Sequence, residues 1–236
     1  MDLRDEHAAL DEMLSALDGS QWALPTPAVG WTVADQVRHL TASERAAEIA
    51  LRGRGDDLFR GEVAITPVEE RDPDALLRAW RAAREKTLQQ LATTDDRAKV
   101  VWGAGPMSAR SFADARLMET WAHGLDCFAA VGEVPVDTPR LRRIASLALR
   151  ALPYAFRVAR EEPPGDVRSV ALDLVGTVGD QWWIGPDASE DVIAGSASEW
   201  CRVATRRLRP KATSLRTTTP LAAASLRVAR AYLDDT

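Results

Sequence analysis

Leu3, Leu10, Leu14 and Leu17 return at helical spacing with His7 on the same stripe, which predicts an amphipathic helix over 3–18 that Gly19 ends. Thr32 and Asp35 have the spacing of a capping box and open a second helix that runs to about Leu51. Val33, Val37, Leu40 and Ala47 face inward on it, and Glu44 is an acid caught within that apolar stripe. Gly53 and Gly55 stop this helix. Residues 53–72 carry no strong period and predict a long loop, either mobile or part of the wall of a site. A third helix is predicted over 73–93, with Pro73 in its first turn and Leu76, Trp80, Ala83, Leu88 and Leu91 apolar. Gly103-Ala104-Gly105-Pro106 reads as a turn, after which Ser111 and Asp114 cap a fourth helix to about Val131. Four helices of this size alternating with loops predict a bundle.

The pattern changes beyond residue 135. A helix from Thr138 to about Glu161 is expected to bend at Pro153, and Pro163-Pro164-Gly165 is the clearest linker signal in the chain. Val170, Leu172 and Leu174 then alternate as in a strand, and Gln181–Ile184 and Asp191–Ala194 read as two more. Ser196-x-x-Glu199 is a full capping box for a helix ending near Arg209, and a last helix is expected over Pro220–Leu233. The fold class is therefore α+β: a four-helix bundle over 1–135, a connecting helix and linker over 136–165, and a small α+β domain over 166–236.

Composition narrows the function more than the fold. With 30 basic and 35 acidic side chains the formal charge is −5, which argues against nucleic acid as the main partner. No apolar run approaches the ~20 residues of a bilayer span, and the acidic start MDLRDEHAAL lacks the apolar core of a signal peptide. A cytoplasmic protein without a membrane partner is expected, as a monomer or a homodimer. All but three of the basic residues are Arg, and that skew, with heavy use of Ala, suggests a GC-rich actinobacterial genome. Cys127 and Cys201 lack CxxC spacing and read as small buried hydrophobes rather than nucleophiles. There is no GxGxxG, Walker loop or GxSxG elbow to support nucleotide binding or serine hydrolysis.

The chemistry concentrates on three histidines, His7, His39 and His123. Glu119 and His123 stand at i, i+4, so both leave the fourth helix on one side, within a polar line formed by Arg116, Glu119, His123 and Asp126. A polar line beside a bundle's apolar arc is what an interior metal site requires, and His39 is the natural third ligand from another helix. Two His and one Glu leave a coordination position open, as catalytic zinc needs. The residues alone also allow a solvated face or a local hydrogen-bonded pair, and the helical wheel sets His39 roughly 110° from the centre of its apolar stripe. His7, on an apolar stripe, reads as a core or pocket residue; Glu44 reads as a shoulder residue or a partner behind a ligand. Trp31, Trp80, Trp102 and Trp121 read as packing. Arg206, Arg207 and Arg209 suit either a helix C-terminus or the capture of an anion.

Two of these segments carry a resemblance. Gly30-Trp31-Thr32-Val33-Ala34-Asp35-Gln36-Val37-Arg38-His39-Leu40 resembles the second-helix motif of the mycothiol-dependent maleylpyruvate isomerase family, within the DinB-like metal-binding bundles. Glu119-Thr120-Trp121-Ala122-His123-Gly124-Leu125-Asp126 resembles that family's fourth-helix motif, and Gly195–Glu199 followed by Arg206-Arg207 looks like its C-terminal domain. The resemblance implies His39, Glu119 and His123 as ligands of a divalent metal, most simply Zn2+, and Arg207 or Arg206 as the family's catalytic arginine. It also implies mycothiol or another low-molecular-weight thiol as cosubstrate and a small electrophilic molecule as substrate. Thiol addition to an activated double bond, rotation and thiol loss give isomerisation, whereas retention of the adduct gives S-transfer. The chain looks closer to an uncharacterised actinobacterial branch than to the isomerase itself. A thiol-independent metal hydrolase and a non-catalytic metal- or ligand-binding protein remain the alternatives.

Overall fold

The computed structural model describes residues 2–103 and 105–232. The chain divides into two compact units, Met1–Pro135 and Val136–Thr236. The first is built on four long helices: α1 (Asp2–Ala16), α2 (Val33–Ile49), α4 (Pro73–Thr93) and α5 (Ala109–Ala130), with the short α3 (Gly55–Phe59) between α2 and α4. α1 packs on α4 and α5, and α2 packs on the same two helices, which closes the bundle. Leu10, Leu14, Trp22, Val33, Val37, Leu40, Leu76, Trp80 and Cys127 fill its core. Thr32 caps α2 through a complete capping box with Asp35, as the spacing predicts.

Three local expectations change. The segment after α2 is only in part a loop: Gly53, at φ 79°, breaks the helix as expected, the short α3 follows, and 60–72 carries no helix or strand. Gly55 fits there because a Cβ would stand 2.1 Å from the Val101 carbonyl oxygen, so only glycine lets the chain come this close. The Gly103–Pro106 turn joins two short antiparallel strands, β1 (Lys99–Trp102) and β2 (Gly105–Ser108), although Ala104 lies outside the described residues. The cap of α5 is Ser108, whose hydroxyl accepts from the Ser111 amide, so the helix starts earlier than a Ser111 cap implies.

In the second unit, α6 (Leu141–Arg150) and α7 (Leu152–Ala159) meet at Ala151, with Pro153 in the first turn of α7, where it lacks no hydrogen bond the helix needs. β3 (Ala171–Val175), β4 (Gln181–Ile184), β5 (Val192–Ser196) and β6 (Arg216–Thr217) form one sheet in the order β4-β3-β5-β6. β3 and β5 are parallel; the other pairs are antiparallel. α6 packs on α8 (Ala197–Ala204), and α7 on α9 (Pro220–Val228). Ser196 caps α8, but the Glu199 carboxylate turns to the amide and hydroxyl of Ser214, so that capping box is half made. α8 stops at Ala204, short of Arg209, because Arg206 takes φ 61°. α9 ends at Val228, and the expected end at Leu233 lies outside the described residues. Among the described residues no helix is long and apolar enough to cross a membrane.

Candidate metal centre

α2 and α5 run side by side in the bundle and each contributes polar residues to the space between them. Glu119 and His123, one turn apart on α5, meet His39 of α2. Nε2 of His39 lies 3.6 Å from Glu119 Oε2, and Nε2 of His123 lies 3.4 Å from the same oxygen. One donor atom from each residue falls within 4.8 Å of the other two, a group that could hold a metal ion. The imidazoles are tilted 42° to one another, centroids 4.4 Å apart. All three side chains are only partly exposed, at 30% for His39, 19% for Glu119 and 14% for His123, so the cluster is sheltered yet open on one side.

The wheel misplaced His39 for a physical reason. The buried arc of α2 is wider than its apolar stripe: Gln36 and Ala46, which flank His39 on the wheel, are both buried, so a residue well off the stripe's centre still turns to the interior. α5 buries Asp114, Arg116, Thr120 and Asp126 too, and its polar line is interior rather than solvated.

Around the cluster the structure adds two residues to which the sequence reading gave no part in the site. Trp31, read as packing, lies against both imidazoles, with its ring stacked on His123 at 6.0 Å and 17° and tilted over His39 at 5.2 Å. Gln36, fully buried, accepts from His123 Nδ1 through its Oε1 at 2.5 Å and donates from Nε2 to Thr26 Oγ1 and Asp126 Oδ2. Asp126 thus reaches the histidine's partner. The signal was available: an amide three residues before His39, between Val33 and Val37 on a buried face, is out of place in an apolar stripe.

Glu119 is ionised despite its setting. Burial works against the charge, but the imidazoles of His123 and His39, and then the Arg116 guanidinium, outweigh it and hold the carboxyl well below its usual range. A carboxylate and two imidazoles, nitrogen and oxygen donors without thiolate, suit zinc and related divalent ions. The thiols are not part of it: Cys127 and Cys201 are free and buried, and burial pushes both pKa values up.

Residues 3–128 match the family model for the mycothiol maleylpyruvate isomerase N-terminal domain. The chain belongs to this family. Among its relatives are two uncharacterized proteins of Mycobacterium tuberculosis, Rv0036c of strain H37Rv and MT0041 of strain CDC 1551. Each is 38% identical over 223 residues, covering 87% of this chain and 84% of the relative. Crystal structures of the mycothiol-dependent maleylpyruvate isomerase and of a variant of it share the fold. Their TM-scores are 0.57 and 0.58 at 18% and 17% identity, over 93% of this chain and 92% of theirs. The likeness therefore spans both the bundle and the α+β unit of the maleylpyruvate isomerase fold.

Arg206 and Arg207, which the resemblance nominates, follow α8 in the second unit. Arg206 donates to the Val228 carbonyl and Arg207 to the Thr205 carbonyl. A second His–Glu pair occupies the bundle's interior. His7 Nε2 lies 3.5 Å from Glu44 Oε1, and the same oxygen accepts from Arg116 at 3.0 Å, while Arg116 also donates to Ser43 Oγ at 2.6 Å. Burial opposes ionisation of Glu44, but Arg116 and then His7 outweigh it and hold its pKa at about 2.

Proposed function

We propose that His39, Glu119 and His123 hold a divalent metal, zinc by their donor chemistry, and that the protein is a mycothiol-dependent isomerase or S-transferase of small electrophiles. The single observation behind this reading is the convergence of three donors from α2 and α5 within 4.8 Å, in a chain whose family is the mycothiol maleylpyruvate isomerases. Zinc, when bound, lowers the pKa of a coordinated thiol from its free value of about 8.5 and polarises a carbonyl.

The chain's own residues have distinct parts in this reading. Glu119 brings a negative charge and the two imidazoles bring ring nitrogens, a donor set that favours a divalent cation. Trp31 lays an aromatic face over both imidazoles and sheds water from that side. Arg207, with Arg206 beside it, takes the part of the family's catalytic arginine, binding an anionic group through its guanidinium fork. Residues 1–135 form the metal-binding bundle in this scheme, and the thiol and electrophile are its small-molecule partners.

Elemental analysis of the purified protein and a turnover assay with and without mycothiol test the proposal. Close to one divalent metal per chain is expected, lost in His39→Ala and His123→Ala, with turnover that requires the thiol. Arg207→Ala is expected to keep the metal and lose turnover. Full activity without thiol would instead mark a metal hydrolase. Metal without turnover of any electrophile would mark a binding protein.

A further inference from the structure

We propose that Gln36 is a positioning residue that fixes His123 in the tautomer protonated on Nδ1, so that its Nε2 lone pair faces His39 and Glu119. This rests on the metal reading for its purpose, though not for its geometry. The argument starts from Thr26. Its hydroxyl lies 2.9 Å from the Trp31 carbonyl oxygen and 3.4 Å from that of Ala28, and both of these groups only accept. The hydroxyl proton is therefore spent on a carbonyl, and the Thr26 oxygen is left to accept.

That requirement sets the amide of Gln36. The group facing Thr26 at 2.9 Å must be a donor, and so must the group facing the Asp126 carboxylate at 3.4 Å. Both lie on the Nε2 side, so the NH2 of Gln36 serves them and its Oε1 turns to His123. At 2.5 Å from Nδ1, an amide oxygen can only accept, so Nδ1 carries the proton. An imidazole that is neutral and protonated on Nδ1 has its lone pair on Nε2, the atom 3.4 Å from Glu119.

The relay has a second consequence. The Trp31 carbonyl that takes the Thr26 proton also accepts from the Thr26 amide at 2.8 Å. The loop that lays Trp31 over the imidazoles is thus pinned by the same hydroxyl that orients Gln36. Position of the aromatic wall and tautomer of the histidine are set together.

Nitrogen NMR of the histidine rings in the metal-free protein, paired with titration by zinc alone, tests this. Above the imidazole pKa, wild-type His123 should be protonated on Nδ1. Gln36→Leu should bring the Nε2-protonated form into view and weaken zinc binding by about 10- to 100-fold. Thr26→Val, which frees the amide to turn over without removing it, should give a mixture of tautomers and a smaller loss of affinity. It carries the test if the Leu variant does not fold. A wild-type His123 protonated on Nε2, or an unchanged tautomer in a folded variant, would overturn the proposal. Wild-type protein that shows the Nδ1 proton yet takes up no zinc would instead refute the metal reading and leave the relay standing.

Discussion

The bundle contains two clusters made from almost the same side chains, and they differ in their source of positive charge. One joins Glu119 to two imidazoles; the other joins Glu44 to one imidazole and the Arg116 guanidinium. α2 and α5 contribute to both, Ser43 and Glu44 lying one turn beyond His39, and Arg116 lying one turn before Glu119. In the second cluster the side chains are at most 2% exposed, and a permanent cation already neutralises the carboxylate. In the first, the carboxylate's close partners are two imidazoles, whose ring nitrogens can ligate a metal, and the cluster is only partly buried. Composition alone would treat the two alike. The guanidinium makes one of them a strut that fixes α2 against α5; the other is the one we propose as the metal site.

The strut can be broken most severely. Arg116→Met would leave the buried Glu44 carboxylate without its cation, at a cost of about 3–5 kcal/mol. Urea denaturation should show this, and adding Glu44→Leu should recover most of it. A single variant as stable as wild type would mean that Arg116 is not structural. Removing a ligand should act on affinity instead. His39→Ala should weaken zinc binding by more than about 100-fold, since even residues behind a ligand cost about 10- to 100-fold, while the metal-free protein keeps nearly all its stability.

Acid should expose the same contrast more gently. The pKa values of Glu44 and Glu119 are both held below the ordinary carboxyl value of 4.5, so their contribution to stability is complete above that pH and is lost as pH falls, for Glu44 towards about 2. Denaturation of metal-free protein across that window should show stability dropping, with a shallower drop in Glu44→Gln; parallel curves would deny Glu44 that role. The smallest effect is expected from Thr32→Ala, which removes the cap of the helix that serves both clusters. About 1 kcal/mol should be lost in a thermal melt, with zinc affinity little changed.

How much of this was legible in the sequence depended on whether burial followed hydropathy. α1, α2 and α4 declare themselves by apolar stripes, and Thr32 and Asp35 by their spacing. The β1–β2 hairpin was missed because Gly105 and Pro106 lie within a strand only four residues long, and β6 because it has two residues. α5 is harder still. It buries residues around most of its circumference, so no stripe distinguishes Arg116 or Asp126 as interior. The i, i+4 pair of Glu119 and His123 was readable as spacing, but the approach of His39 depends on how α2 packs against α5. Gln36 and Trp31 acquire meaning only once the Thr26–Trp31 loop is folded back on α2.

The central claim is that the cation enters one cluster and is built into the other. Diffraction data collected at the zinc absorption edge, from crystals grown with zinc, address both halves at once. An anomalous peak bounded by His39 Nε2, Glu119 and His123 Nε2, with none beside His7 and Glu44, is the predicted result. A map with no peak among the first three residues, or with one beside Glu44, would contradict the account.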